Sequence, residues 1–157
     1  VIVGIDPGIK GAAAAISVRG NVVDVIDLPT RAAGKRREVD PPALLRWMRY
    51  VKPHRIIIEN VHSMPKEGVV SAFRFGVAVG MIRAISYSII TDVELVDPAV
   101  WKAYFDLLGL DKEASRQLAL SIFPDWASLL TRKMDHQRAE SLLIAKWGIR
   151  PIIGRNW

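Results

Sequence analysis

The chain has 157 residues, 50% of them apolar and 24% charged, which suits one compact domain (1–157) with a real core and excludes a disordered or fibrous chain. It contains no cysteine, which excludes disulfides, thiolate zinc sites and a cysteine nucleophile and fits a reducing compartment. The formal net charge of +6 points to a polyanionic partner, nucleic acid ahead of an anionic membrane surface.

Val1 to Asp6 is a short apolar run stopped by Pro7-Gly8, and it reads as a strand buried on both faces. Gly11 to Val18 reads as a second strand despite its alanines. Gly20-Asn21 makes a tight turn into a third, Val22 to Leu28, which completes an antiparallel meander. Pro29 to Asp40 reads as a polar loop. Pro41 opens a helix through Val51, with Leu44, Leu45 and Met48 at helical spacing, and Pro53 ends it. The isoleucines of Arg55 to Asn60 predict a central strand covered on both sides. A loop leads to a long helix from Val69 to Ser88, then a strand from Val93 to Val96. Helices are predicted at Ala99 to Leu108, Lys112 to Ile122 and Asp135 to Trp147.

The longest apolar stretch, Val69 to Ile90, carries Arg74 and Arg83, and two arginines are costly in a bilayer core. It is read as a soluble helix, with no membrane partner. No signal peptide is visible from Val1 onward. The expected location is the cytoplasm of a bacterial or phage-infected cell, or an organellar stroma or matrix if a leader has been trimmed.

The first helix connects the meander to the fourth strand as a crossover, so that strand should run parallel to the first. Ligand sites in such sheets lie at the carboxyl ends of the strands, where Asp6 and Glu59 stand. Asp-Pro-Gly alone is also a good turn sequence. An ionised glutamate after Arg-Ile-Ile-Ile needs water, a cation or a metal beside it. Two acids on neighbouring parallel strands form a hard-oxygen platform suited to magnesium.

A third acid is expected from the last helix. Asp135 and Glu140 are five residues apart, which leaves them about 140° apart around a helix, so they cannot share a face in its middle. Asp135 fits the N-cap, outside helical geometry. Glu140 shares the inward side with Leu143 and Ile144. His136, one turn before Glu140, is a further candidate for binding metal, positioning water or acting as a general base.

Taken together, Gly4-Ile5-Asp6-Pro7-Gly8, Ile57-Ile58-Glu59 and the last helix with Ala139-Glu140-Ser141-Leu142-Leu143-Ile144-Ala145 resemble the RuvC-type Holliday junction resolvases of the ribonuclease H-like superfamily. Val100-Trp101-Lys102, the 112–116 segment followed by Leu118-Ala119 and Phe123-Pro124, and Arg132-Lys133 leading into Asp135-His136-Gln137-Arg138 resemble the plant-chloroplast branch. The resemblance covers nearly the whole chain. It implies an α/β, ribonuclease H-like fold: a five-stranded mixed sheet, three strands antiparallel then two parallel, flanked by helices. Bacterial members carry two acids, or a histidine and an acid, three residues apart on the last helix. Here Gln137 stands three before Glu140, so Asp135 or His136 completes the set. The Asp and Glu of the chloroplast-like spacing favour Asp135.

The implied reaction is cleavage of four-way DNA junctions by paired symmetric nicks, through phosphodiester hydrolysis with two magnesium ions about 4 Å apart. Manganese is expected to substitute, and no nucleotide cofactor is expected. Asp6, Glu59, Asp135 and Glu140 would hold the metal, and Lys133 would stabilise charge at the scissile phosphate. Candidates for phosphate contacts are Lys10, Arg31, Lys35, Arg36, Arg37, Lys66, Arg74, Lys102, Arg116, Arg132 and Lys133. Phe73 or Phe75 is the candidate wedge at the junction centre. Two cuts on a near-twofold substrate favour a homodimer. Its expected interface is the long helix through Phe73, Gly76, Val77, Gly80, Met81 and Ala84, where small residues allow close approach.

Three rivals share some features. Another ribonuclease H-like nuclease, acting on an RNA–DNA hybrid or duplex DNA, would share the acids without needing a dimer. An actin-like ATPase lobe would share Gly-Ile-Asp-Pro-Gly but needs a second lobe and a second phosphate loop. A non-catalytic DNA-binding module would have no reason to keep the acids.

Overall fold

The computed structural model describes residues 1–62 and 68–150. Ile2–Asp6 (β1), Ala12–Ile16 (β2) and Val22–Asp27 (β3) form the antiparallel meander. Thr30–Ala33 (β4) and Arg36–Val39 (β5) make a separate two-stranded ribbon. Helix Pro41–Val51 (α1) follows, with Asp40 accepting from the Ala43 amide at 3.0 Å and Pro41 pre-set for the first turn. Arg55–Glu59 (β6), the 21-residue helix Val69–Ile89 (α2) and Val93–Val96 (β7) come next. Pro98–Tyr104 (α3), Lys112–Ile122 (α4) and His136–Trp147 (α5) complete the chain. The main sheet has the order β3-β2-β1-β6-β7, and β6 runs parallel to both β1 and β7. This is the five-stranded mixed sheet that the sequence predicts.

Alternation along β6 explains its isoleucines. Ile56 and Ile58 enter a core with Leu44, Trp47 and Met48 of α1 and Ala78 and Ile82 of α2. Ile57 enters the opposite core, with Trp101 of α3, Ala119 of α4 and the inner side of α5. Both faces are covered, so an uninterrupted apolar run is the only stable pattern. Helix α2 is long and apolar enough to cross a membrane. Its ends, however, lead from β6 and into β7, adjacent parallel strands of one sheet, so it lies along the sheet as a crossover.

The small residues of β1 and β2 have a separate reason. Ala14 of β2 faces α5, which lies directly across these two strands, while Ala13 and Ala15 enter the opposite core. A Cβ on Gly4 would land on the Ser141 carbonyl oxygen and the Ala145 amide nitrogen of α5. Glycine at this point lets backbone meet backbone.

Two local expectations are corrected, and one unassigned stretch is filled. The polar loop from Pro29 to Asp40 is mostly the β4–β5 ribbon, turning at Gly34 (φ +60°). Its charged residues hide the alternation, since only Val39 is buried. Helix α3 ends at Tyr104 rather than Leu108, because Asp106 takes a left-handed φ of +56°. The stretch before α5 forms 3₁₀ turns at Pro124–Leu130 and Lys133–Asp135.

Gly4→Ala should destabilise the fold by about 1–3 kcal/mol through overpacking against the α5 backbone. Urea unfolding measures this, and an unchanged midpoint would show that α5 lifts from β1 without cost.

Candidate active site

Strand register sets the first two acids. Ile5 pairs with Ile58 across β1 and β6, so Asp6 and Glu59 are the next residues along adjacent parallel strands. Asp6 is partly exposed at the mouth of the sheet, and Glu59 is only 7% exposed. The third acid comes from α5. Because Gly4 admits that helix, Glu140 is buried in its second turn and lines the same cleft as Asp6 and Glu59. The cleft measures about 470 Å³ and is also lined by Pro7, Gly8, Lys10, Arg74, Phe75, Lys102, Lys112 and Gln137. Gly8 holds φ +149°, a conformation open to glycine, and turns the chain away just after Asp6.

The electrostatics are those of crowded acids. Burial, then the charges of Glu59 and Glu140, push the Asp6 carboxyl well above the ordinary carboxylate range. Burial also raises Glu59, against a hydrogen bond from Trp101 and with Glu140 adding to the rise. The fully buried Trp101 donates its indole N–H to Glu59 Oε1 at 2.9 Å. Lys102 Nζ lies 3.4 Å from Glu140 Oε1 and 5.2 Å from the centre of the Trp101 ring. Three carboxylates forced together in this way suit a divalent cation, whose charge would relieve their repulsion. Among the described residues no three acids or histidines stand close enough to cage an ion by themselves.

Asp135, the expected fourth acid, lies apart from this cleft. It is 4% exposed and occupies the residue before α5, as expected of a cap. Its carboxylate does not cap α5, though. It turns back to accept from the Arg132 amide at 2.8 Å and from the Arg132 guanidinium at 2.8 and 3.1 Å. Arg138 lies 3.9 Å away on its other side. Burial works to raise this carboxyl, but the Arg132 hydrogen bonds and the two arginine charges outweigh it and hold it below its ordinary value. Asp135 therefore closes the turn ahead of α5. His136 is half-buried, with Nε2 3.2 Å from Lys112 Nζ and Nδ1 3.3 Å from the Lys133 carbonyl, so it touches a cleft lysine without lining the cleft. Lys133 is exposed and also outside the cleft lining.

The basic candidates divide the same way. Lys10, Arg74 and Lys102 line the cleft. Lys35 and Arg36 are exposed on the ribbon, and Arg36 shares a neighbouring groove with Arg74. Arg31 is paired with Glu38 at 2.8 Å, and Arg37 bonds Thr30 twice. Arg116 is tied to Glu113 and the Leu130 carbonyl, and Arg132 to Asp135, so both serve the local fold. Lys66 lies outside the described residues. Phe75 lines the cleft, whereas Phe73 is 72% exposed on α2. Gly76, Val77, Gly80 and Ala84 are exposed beside Phe73, but Met81 turns toward the ribbon and the core below it. Sequence reasoning missed Lys112 and Trp101 as site residues. Their only signal is position: Trp101 follows the strand beside β6, and Lys112 starts a helix packed on α5.

No family model matches the chain, and no curated protein matches it in sequence. Solved structures do match. RuvC from Thermus thermophilus in complex with Holliday junction substrate superposes with a TM-score of 0.59 at 17% identity, over 93% of this chain and 90% of that one. A second Thermus thermophilus RuvC structure gives 0.58 at 17% identity, over 93% and 91%. The fold is that of RuvC. It is ribonuclease H-like, with three antiparallel strands followed by two parallel ones in the main sheet.

The raised carboxyls give a prediction. In the metal-free protein the folded chain holds protons that the unfolded chain releases, so stability falls as pH rises from the ordinary carboxylate range through the raised values of Asp6 and Glu59. Asp6→Asn removes one crowded charge. In EDTA it should melt above the parent at neutral and alkaline pH, with the gain shrinking to nothing near pH 4 or below, about the ordinary carboxylate value. Thermal melts across pH check this, and a lower melting point for the variant at pH 8 contradicts it.

Proposed function

We propose that the chain is a magnesium-dependent endonuclease that resolves four-way DNA junctions by paired symmetric nicks. The observation that carries this reading is the meeting of Asp6, Glu59 and Glu140 in one open cleft with Lys10, Lys102, Lys112 and Arg74 around it. Acids of this kind hold a metal, and cations at the rim hold a phosphate backbone. Asp6 and Glu59 stand at the carboxyl ends of β1 and β6, where such sheets take their ligands, which supports this reading. The nearer likeness to the plant-chloroplast branch rests on the sequence segments alone.

Asp6, Glu59 and Glu140 would hold magnesium, two ions in the full reading, with manganese as a substitute. Bound there, the metal would activate water and stabilise charge on the leaving oxygen. The chain's own residues do the rest. Lys10, Lys112 and Arg74 bind the phosphates on either side of the scissile bond, and Lys35 and Arg36 of the ribbon extend the basic track. Phe75 offers a ring to an unstacked base in the cleft. The buried floor, including Trp101, keeps bulk water from the inner side of the acids.

The protein is proposed to act as a homodimer through α2. Phe73, Val77, Gly80, Ala84 and Tyr87 are exposed at alternating spacings of four and three residues, which makes an apolar seam along one side of the helix. Two copies joined there would present two clefts to one junction.

The decisive experiment incubates the protein with a labelled four-way junction, a nicked duplex and an RNA–DNA hybrid, in magnesium or in EDTA. Paired symmetric nicks in the junction alone, lost in EDTA and reduced to background by Asp6→Asn, are expected. Cutting confined to the hybrid or duplex would assign the activity to another ribonuclease H-like nuclease. No magnesium-dependent cutting of any substrate would remove the nuclease reading. Asp6→Asn should still bind junctions, since affinity rests on the basic surface. For the dimer, Val77→Asp should convert the protein to monomer in sedimentation equilibrium while preserving its circular dichroism. A parent that sediments as a monomer would refute the interface.

A further inference from the structure

Both glutamates of the cleft have one oxygen already committed. Glu59 Oε1 accepts from the Trp101 indole at 2.9 Å, and the indole cannot turn away because its ring is fully buried between the sheet and the inner helices. Glu140 Oε1 receives Lys102 Nζ at 3.4 Å and the Ser115 hydroxyl at 3.5 Å. In each case the engaged atom is Oε1, and no donor among the described residues reaches Oε2. Each cleft-lining glutamate thus keeps Oε2 without a donor among the described residues.

This asymmetry matters for the choice of ion. Calcium takes six to eight oxygens and commonly uses both oxygens of one carboxylate. Magnesium takes six in a strict octahedron, uses single carboxylate oxygens and fills the remainder with water. A hydrogen bond leaves the engaged oxygen a second lone pair but fixes its direction, so turning both oxygens of one glutamate onto calcium works against the donor, whereas one-oxygen ligation of magnesium through Oε2 does not. A partner donor of this kind also fixes the carboxylate's orientation and charge distribution.

We propose that Trp101 is a positioning residue that restricts Glu59 to one-oxygen ligation and so biases the cleft toward magnesium over calcium, with Lys102 imposing the same restriction more loosely at Glu140. The two differ in rigidity. Trp101 is immobile in the core, whereas Lys102 is a half-exposed flexible chain that a bound cation can displace. The selectivity therefore resides chiefly in the indole. This inference rests on the proposed metal site.

The test is binding without DNA. Magnesium and calcium are titrated separately into the isotope-labelled protein and followed through the backbone amides of Asp6, Gly8 and Asn60. Trp101→Phe keeps an aromatic ring in the core and removes the donor. A protein carrying benzothienylalanine at position 101 keeps the two-ring shape and replaces N–H by sulfur, which covers the case in which Trp101→Phe fails to fold. Loss of the donor should shift the magnesium-to-calcium affinity ratio toward calcium on the order of tenfold, the scale of effects at outer-shell partners. Lys102→Met should shift it less. Asp6-dependent magnesium binding with an unchanged ratio in the folded, donor-free protein overturns this inference and leaves the metal site standing. If neither ion binds the parent, or binding persists in Asp6→Asn, the metal site and this inference fall together.

Discussion

Helix α5 lies against β1 with backbone on backbone, and the site depends on that contact. Gly4 removes the side chain that would hold the helix off, and Ser141 and Ala145 present backbone atoms at the point of approach. One residue earlier in the same helix, Glu140 is thereby carried to the carboxyl ends of β1 and β6. Had any side chain stood at position 4, the helix would sit farther out and the third acid with it. The fully buried Ala14 of β2, the register partner of Gly4, extends the same requirement to the next strand.

That packing creates an electrostatic conflict which the protein resolves incompletely. Three acids lie in one cleft, and burial with mutual repulsion works against the ionisation of Asp6 and Glu59. Trp101 and Lys102 each supply one donor, to Glu59 and Glu140, while Lys112 adds charge from the start of α4. These groups reduce the repulsion without closing the cleft. A fully satisfied acid cluster would be a structural feature. One with free oxygens and raised carboxyls remains available to a cation and its waters. Asp135 is the contrast: its carboxylate is surrounded by Arg132 and Arg138, held below its usual range, and spent on shaping the turn before α5.

Much of this was legible in the chain. The isoleucines of β6 mark a doubly covered strand, and the crossover rule makes it parallel to β1, which puts Asp6 beside Glu59. Glu140 was placed inward by its helical phase with Leu143 and Ile144, and it is buried. Asp135 stands at the residue before the helix, as its sequence position implies, and its carboxylate is held by Arg132. An acid at the start of a helix looks the same in sequence whether it reaches a metal, its own helix or an arginine three residues earlier. The ribbon at 30–39 was illegible because it buries little, and burial is what writes periodicity into a sequence.

The sequence by itself determined the order of the main-sheet strands and their helices, the parallel placement of β1 and β6 and the inward phase of Glu140, because these follow from local periodicity and connection rules. Only the tertiary structure decided which charges meet. Trp101 finds Glu59 across 42 residues and Lys102 finds Glu140, whereas Arg132 claims Asp135 from three residues away. Partner choice among buried charges depends on distances between elements distant in the chain, and those are set by how closely the layers pack. Asp6 and Glu59 were visible as a pair from the first strand onward. That Glu140 joins them, and that each glutamate keeps one oxygen free, was decided by the approach of α5 at Gly4 and by the indole buried beneath Glu59.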